Sequence, residues 1–333
     1  FKLENKNTIL ASTSSPMRHV RIHTISLTAA KFRHKNPLRG GLTHAHKVIK
    51  TLIVSALLII GANSAPDYVG NSEAIALTGT WLAVATVFSV DKSEVEKFLG
   101  SENLILEDQA HTEAGTHPMV IFWGQQHQLS GHFTWDYPLP PLSIENYEEI
   151  LACVPFVQVK GTPEEASYFS CYTLILHQSE IGGFTDPYMG TFGGKYFWSF
   201  PKRVQELTWE PLPHPDLKDH PTTHTSTYSS ADLFKVELTR KEAWTPMKDL
   251  SDDQKNSMSI VHAIMKESVA QPFLFNSSTI LCSYCDVLGQ NPHFARGETN
   301  IDFIDESLLP KGAKIIETTF LQAPWELHAP FYC

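Results

Sequence analysis

The feature that most constrains the fold is a succession of short runs rich in β-branched and aromatic residues, each closed by a turn signal. Trp81-Leu-Ala-Val-Ala-Thr-Val-Phe88, Met119-Val-Ile-Phe-Trp123, Cys153-Val-Pro-Phe-Val-Gln-Val159 and Tyr168-Phe-Ser-Cys-Tyr-Thr-Leu-Ile-Leu176 read as strands. Ala231–Leu238, Thr279–Val287 and Ala313–Leu321 extend the series. Lys160-Gly-Thr-Pro163 has turn chemistry, and Asp136-Tyr-Pro-Leu-Pro-Pro141 reads as a turn or extended linker because proline removes ladder donors. Helix signals are few. Asp91-Lys-Ser-Glu94 forms a capping box that opens a helix through Leu99. Ser251-Asp-Asp-Gln254 opens another, on which Ile260, Val261, Ile264, Met265 and Val269 form an apolar stripe suited to packing. The chain shows no internal repeat, no glycine-rich phosphate loop and no nucleophile elbow. A mainly β protein (α+β) with a few helices is expected, and a hydrophobic content of 42% supplies its core.

Charge divides the chain of 333 residues. Residues 1–50 hold ten Lys/Arg against the single acid Glu4, so a total of −10 leaves the remainder at −19. An acidic body repels phosphate backbones, which argues against a nucleic-acid partner. Residues 1–50 are expected to be a basic segment with no folded role. Within 47–65, Lys47 and Lys50 precede the apolar run Thr51–Ala62 and the small residues Asn63-Ser-Ala65, the pattern of a secretory signal. A signal anchor, a transit peptide and a buried helix or strand are the competing readings. Twelve helical residues reach only about 18 Å against a hydrocarbon core of about 30 Å, so a stable membrane span is disfavoured. Residues 66–333 are read as one domain, secreted or in the secretory pathway, with an organellar or cytoplasmic location as the alternative.

Five cysteines allow one or two bridges in an exported domain. Cys282-Ser-Tyr-Cys285 is a lone CxxC, and a zinc site there needs His293 and Cys333 as further ligands; a disulfide or buried thiols is the preferred reading. Cys153, Cys171, Cys282, Cys285 and Cys333 leave the pairing open. Asn276-Ser-Ser278 is a glycosylation sequon. Residues 208–232, with His214, His220 and His224, read as a solvated polar loop and not a metal cluster. No metal and no cofactor is expected.

The best candidate for chemistry is Lys202. A lysine is nucleophilic at neutral pH only where apolar surroundings or a nearby cation destabilise its ammonium form. Tyr196-Phe-Trp-Ser-Phe200 leads through Pro201 into Lys202, and Arg203 supplies a permanent positive charge beside it. Most Lys-Arg pairs are solvated surface.

Gly194-Lys-Tyr-Phe-Trp-Ser-Phe-Pro-Lys-Arg203 resembles the signature of the acetoacetate decarboxylase family, in which a Gly-Arg-Glu triplet runs into Tyr/Phe-Pro-Lys-Lys. Tyr147-Glu-Glu-Ile-Leu-Ala-Cys-Val-Pro-Phe156 resembles the family's Tyr-x-Glu stretch, and Asn300–Pro310 with Ala313–Phe320 its closing strand pair. The three anchors occur in the family order and cover roughly residues 80–328. The resemblance implies a cone-shaped, mostly antiparallel β-barrel, homo-oligomeric assembly, and a metal-free Schiff-base reaction on a small keto acid or ketone. Lys202 matches the imine-forming lysine, Glu149 the active-site glutamate, and Arg203 the second lysine of the pair. Trp81, Tyr147, Tyr196 and Phe200 are the expected substrate-binding residues. Acetoacetate decarboxylase is itself the standing example of a lysine activated in this way, so that role comes from the resemblance.

Two departures stand out. The triplet's acid is replaced in Gly194-Lys-Tyr196, and no arginine lies near Trp81, where the decarboxylases hold the substrate carboxylate. The leading expectation is a lyase: decarboxylation of a β-keto acid, or related aldol or dehydration chemistry. The alternatives are a non-catalytic barrel binding an apolar or keto-bearing small molecule, and an unrelated secreted β-sandwich with Lys202-Arg203 on its surface.

Overall fold

The computed structural model describes residues 75–107, 112–131, 143–163, 166–177, 203–205, 207–209, 224–273, 276–287, 289, 291–328 and 331–333. The basic head and the signal-like run lie outside these residues, as do His214, His220, Tyr196, Phe200 and Lys202. No helix among the described residues is long and apolar enough to cross a membrane.

The chain is mainly strand. β1 (Ile75–Asp91), β3 (Thr116–Gly131), β4 (Ser143–Val159) and β15 (Lys314–His328) are the long members, and β5 (Tyr168–His177) and β14 (His293–Ile304) follow them. Shorter strands are β2 (Leu104–Leu106), β6 (Arg203–Gln205), β7 (Thr208–Trp209), β8 (His224–Ser230), β9 (Phe234–Arg240), β10 (Thr245–Pro246), β11 (Ser268–Phe273), β12 (Asn276–Ser283), β13 (Cys285–Asp286) and β16 (Phe331–Tyr332). Twelve of them form one ladder in the order β16-β12-β11-β5-β4-β3-β1-β15-β14-β9-β8-β7, and off this path β2 pairs with β4, β6 with β5, β10 with β14 and β13 with β15. Pairing is antiparallel except where β5 meets β11 and β6. Among the described residues the two ends of the ladder, β16 and β7, are not paired with each other, so the expected mainly β fold is present while the described strands do not close it into a ring.

Residues 82–90 of β1 are buried without interruption, because this strand is covered on both faces. On one face Leu82, Val84 and Phe88 join Met119, Ile121, Trp123, Ile150 and Phe234 in one core. On the other, Ala83, Ala85 and Val87 join Val120, Phe122, Leu151, Ile260 and Ile264 in a second. The period-2 alternation of strand side chains makes consecutive residues serve opposite cores.

The first helix, α1 (Lys92–Leu99), starts where expected. Asp91 caps it by accepting from the Ser93 amide at 2.9 Å, and Gly100 ends it in the left-handed conformation. The single helix expected after Ser251 is two short ones, α2 (Asp252–Ser257) and α3 (Ser259–Ile264), broken at Met258 (φ −122°). The capping box of Ser251 and Gln254 is complete. The break has a packing reason: α2 buries nothing, whereas Met258, Ile260, Val261 and Ile264 all enter the second core. A further correction concerns 208–232. His224–Ser230 is a strand, because Ser226, Tyr228 and Ser230 alternate inward with only one large side chain among them.

Cys153 is bonded to Cys171, its register partner across β4 and β5, and Cys282 to Cys333. Cys285 is a free thiol, pushed up to about 12 by burial and by Asp286, both of which disfavour the thiolate. The CxxC is therefore neither a redox pair nor half of a zinc knuckle. No cluster of three or more His, Cys, Asp or Glu suited to a metal occurs among the described residues.

Candidate functional site

Four strands bring Glu149 its surroundings. In register, Trp81 of β1 lies opposite Gln126 of β3, Gln126 opposite Tyr147 of β4, and Gly124 opposite Glu149. Gln126 and Glu149 are thus diagonal neighbours on one face, within reach of each other across the ladder. On the far side of β1, Gly79 pairs with Trp325 of β15. Both glycines are close-approach positions. A Cβ on Gly79 falls 2.8 Å from Cζ2 of Trp325, and one on Gly124 falls 2.7 Å from the Leu82 carbonyl.

The polar groups form a directed chain. The indole N–H of Trp325 donates to Oε1 of Gln126 (3.0 Å), and Nε2 of Gln126 donates to Oε1 of Glu149 (2.9 Å). The indole of Trp81 donates to the same carboxyl oxygen at 3.3 Å. Trp81 also stacks on Phe122, with ring centroids 5.0 Å apart and planes inclined by 25°, so one side of the carboxyl is an aromatic wall. Glu149 is buried, and burial pushes its carboxyl up to about 8, since desolvation penalises the charged form. The two N–H donors act in the opposite sense. Burial thus favours the protonated carboxyl over the carboxylate.

The neighbouring Glu148 points to the opposite core. It accepts from Nε2 of Gln125 at 2.9 Å, and burial raises its carboxyl against that bond. Tyr228 on β8 is buried near it, raised first by burial and then by the Glu148 charge. The Tyr-x-Glu stretch therefore presents two acids to two separate cores.

Of the expected site residues, the structure brings together Trp81 and Glu149. Tyr147 lies on β4 two residues before Glu149, with its side chain outside the described residues. Arg203 begins β6, again described in backbone only. Val204 of β6 is in register with Leu176 of β5, and Leu176 with Glu149, so β6 sits two strands from the carboxyl. Lys202, Tyr196 and Phe200 lie outside the described residues. Gln126 and Trp325 are the residues that sequence reasoning missed. Gln125-Gln126 is a visible signal, two amides continuing an apolar strand; Trp325 carries none.

No family model and no curated protein matches the chain. Solved structures similar to it include the enduracididine biosynthesis enzyme MppR complexed with pyruvate (11% identity, 78% of this chain and 90% of that one, TM-score 0.48). An acetoacetate decarboxylase-like enzyme from Sphingomonas wittichii RW1 is 12% identical over 78% of this chain and 92% of its own (TM-score 0.46). Acetoacetate decarboxylase from Legionella pneumophila subsp. pneumophila str. Philadelphia 1 is 13% identical over 81% and 91% (TM-score 0.43).

Proposed function

We propose that the chain is a divergent acetoacetate decarboxylase-like lyase in which Lys202 forms an imine with a small keto acid or ketone and Glu149 handles protons. The observation that carries this reading is Glu149 itself. A buried carboxyl met only by neutral donors among the described residues costs stability, and acids kept at such a cost cluster at functional sites. Glu149 is also the residue that the sequence resemblance matches to the family's active-site glutamate. Further support is the register in which β6, beginning one residue after Lys202, lies two strands from Glu149.

In this reading neutral Lys202 attacks the ketone carbon and water leaves, giving a protonated imine. The bond to the β-carboxylate then breaks, its electrons pass to the imine as carbon dioxide departs, and the enamine takes up a proton and is hydrolysed. Arg203 favours the free amine by like-charge repulsion. Trp81, Tyr147, Tyr196 and Phe200 would shape the substrate pocket. The test is borohydride trapping of the full chain with a panel of β-keto acids and ketones, read by intact mass and peptide mapping. An adduct on Lys202 that is missing from Lys202→Ala is expected. A folded protein that yields no adduct across the panel overturns the proposal.

A second reading, a non-catalytic protein that binds an apolar or keto-bearing molecule, is favoured by one observation. Strand β1 contains no Lys or Arg at all, and its Trp81 meets the Phe122 ring and the Glu149 carboxyl instead of a cation. Absence of the trapped adduct together with saturable ketone binding would select it.

We also propose that the domain passes through the secretory pathway. Two disulfides, a signal-like run at 47–65 and the sequon at Asn276, the first residue of β12, support this. Enzymatic deglycosylation of the protein from a eukaryotic secretory host is expected to convert Asn276 to aspartate with loss of glycan mass. An unmodified Asn276 in the secreted protein counts against it.

A further inference from the structure

We infer that Gln126 is a positioning residue for Glu149: clamped by Trp325, it holds Oε1 as a pure acceptor, so that the carboxyl offers its proton from Oε2 alone. The inference rests on the reading of Glu149 as a proton-handling acid. Its premises are the directions of three hydrogen bonds. An indole N–H can only donate, so Trp325 requires the oxygen of the Gln126 amide on its side. That choice turns the NH2 of Gln126 onto Glu149, and the flipped amide would set two donors against each other at Trp325. The indole of Trp81, again donor only, reaches the same Oε1.

An oxygen with two lone pairs that receives two N–H donors is saturated as an acceptor. In a neutral carboxyl that oxygen is the carbonyl one, and the hydroxyl is the other. The chain Trp325 to Gln126 to Glu149, closed by Trp81, therefore selects one of the two protonated forms of Glu149. The clamp itself is built in. Trp325 is 9% exposed and Gln126 3% exposed, and the Trp325 indole packs so close to Gly79 that a Cβ there would fall 2.8 Å from its Cζ2, so a side chain would displace it. What Glu149 then recognises is a hydrogen-bond acceptor, the oxygen of a carbonyl or of the carbinolamine formed from it.

Other ionisable groups on this face bond elsewhere. Glu317 of β15 accepts from Thr319 and from the amides of Ile260 and Val261. Glu267, after α3, accepts from Ser167 and the Phe156 amide, with Glu107 as its charged neighbour. His262 of α3 is held down by burial and by Lys266 and Lys255. Glu148 serves the opposite core.

The test is a pH titration of the protonated-carboxyl stretch of Glu149 by difference infrared spectroscopy on the full chain, the band being identified by its loss in Glu149→Gln. Hydrogen bonds to a carboxyl favour its charged form, so losing one raises the midpoint. Gln126→Met, close in shape, is expected to raise the midpoint by about half a pH unit and to move the stretch to higher frequency. Trp325→Phe, which keeps an aromatic ring but removes the pyrrole half of the indole with its N–H, is expected to shift both in the same direction by less. The double variant is expected to equal Gln126→Met, because Trp325 acts only through Gln126. A merely packed glutamine would lower melting temperature and leave band and midpoint in place; that result, or additive shifts in the double variant, overturns the inference. The outcome is separable from the lyase proposal, since borohydride trapping reads Lys202 and the infrared band reads Glu149.

Discussion

Replacing Cys333 by alanine is expected to cost about 4 kcal/mol of stability, from the chain-entropy cost of opening a loop of some 50 residues. The bond to Cys282 spans 51 residues and ties the last strand to the end of the ladder. β16 consists of Phe331 and Tyr332 alone, in register with Cys282 and Leu281. A two-residue strand is too short to hold itself in place. Losing the bond therefore removes both the constraint on the unfolded chain and the anchor of β16. Cys282 is fully buried in the first core and is tolerated there as a free thiol, so the variant isolates the cross-link from packing. Urea denaturation with the slope compared to wild type checks the size, and hydrogen exchange at Leu281 and Cys282 checks the anchor. A loss below about 1 kcal/mol would mean that the C-terminal strand is held by packing and not by the bond. The Cys153–Cys171 bond closes a span of 18 residues between strands already paired on both flanks, so its removal should cost less, about 3 kcal/mol or under.

The strands were legible because their composition matches their burial. β1 reads as an almost unbroken apolar run because both of its faces are covered, and residues 153–159 and 168–176 are similar. The failure at His224–Ser230 is instructive for the opposite reason. His-Thr-Ser-Thr-Tyr-Ser-Ser has no apolar alternation, yet it lies in register with Phe234–Arg240 and buries Ser226 and Ser230 as small space-fillers beside Tyr228. Strand propensity there is set by the partner, not by the segment. The helix after Ser251 was placed by its capping box and mistaken in length, because the turn at Met258 serves the core and leaves no local mark.

The candidate site was legible only in part, for a topological reason. Glu149 was reached through the Tyr-x-Glu stretch, and Trp81 through its place on the first strand. Their hydrogen bond joins residues 68 apart, and that between Gln126 and Trp325 joins residues 199 apart. Such pairs depend on the register of β1 with both β3 and β15, and a slip of one residue would turn Gln126 or Trp325 to the other face. No local pattern encodes that register. An amide pair such as Gln125-Gln126, one half-buried and one buried, does announce that something polar must answer it on each face, and Glu148 and Glu149 do so one apiece.

Glu149→Gln is expected to make the protein more stable than wild type above pH 8, by on the order of 3 kcal/mol, and to leave it nearly unchanged at pH 4. The folded-state value of Glu149, about 8, lies above the ordinary 4.5, so the folded chain binds the extra proton between those limits. Stability contributed by this group is fully present below about pH 4.5 and is lost as pH rises through 8. The full shift sets an upper bound near 5 kcal/mol, which the donors Trp81 and Gln126 reduce by favouring the charge. Glutamine keeps the Oε1 acceptor for both donors and has no charge to desolvate, so it removes the slope and little else. Glu267 and Glu317, each raised to about 7 chiefly by burial, give the wild-type curve the same sign of slope, and they cancel when the two proteins are compared. Chemical denaturation at a series of pH values measures the difference directly. Curves that stay parallel from pH 4 to 9 would mean that Glu149 ionises in the folded chain as freely as in the unfolded one, and that its burial exacts no cost a catalytic role must justify. Curves that diverge upward through pH 8 would identify a group whose proton the fold retains at the expense of its own stability in alkali, as a proton donor requires.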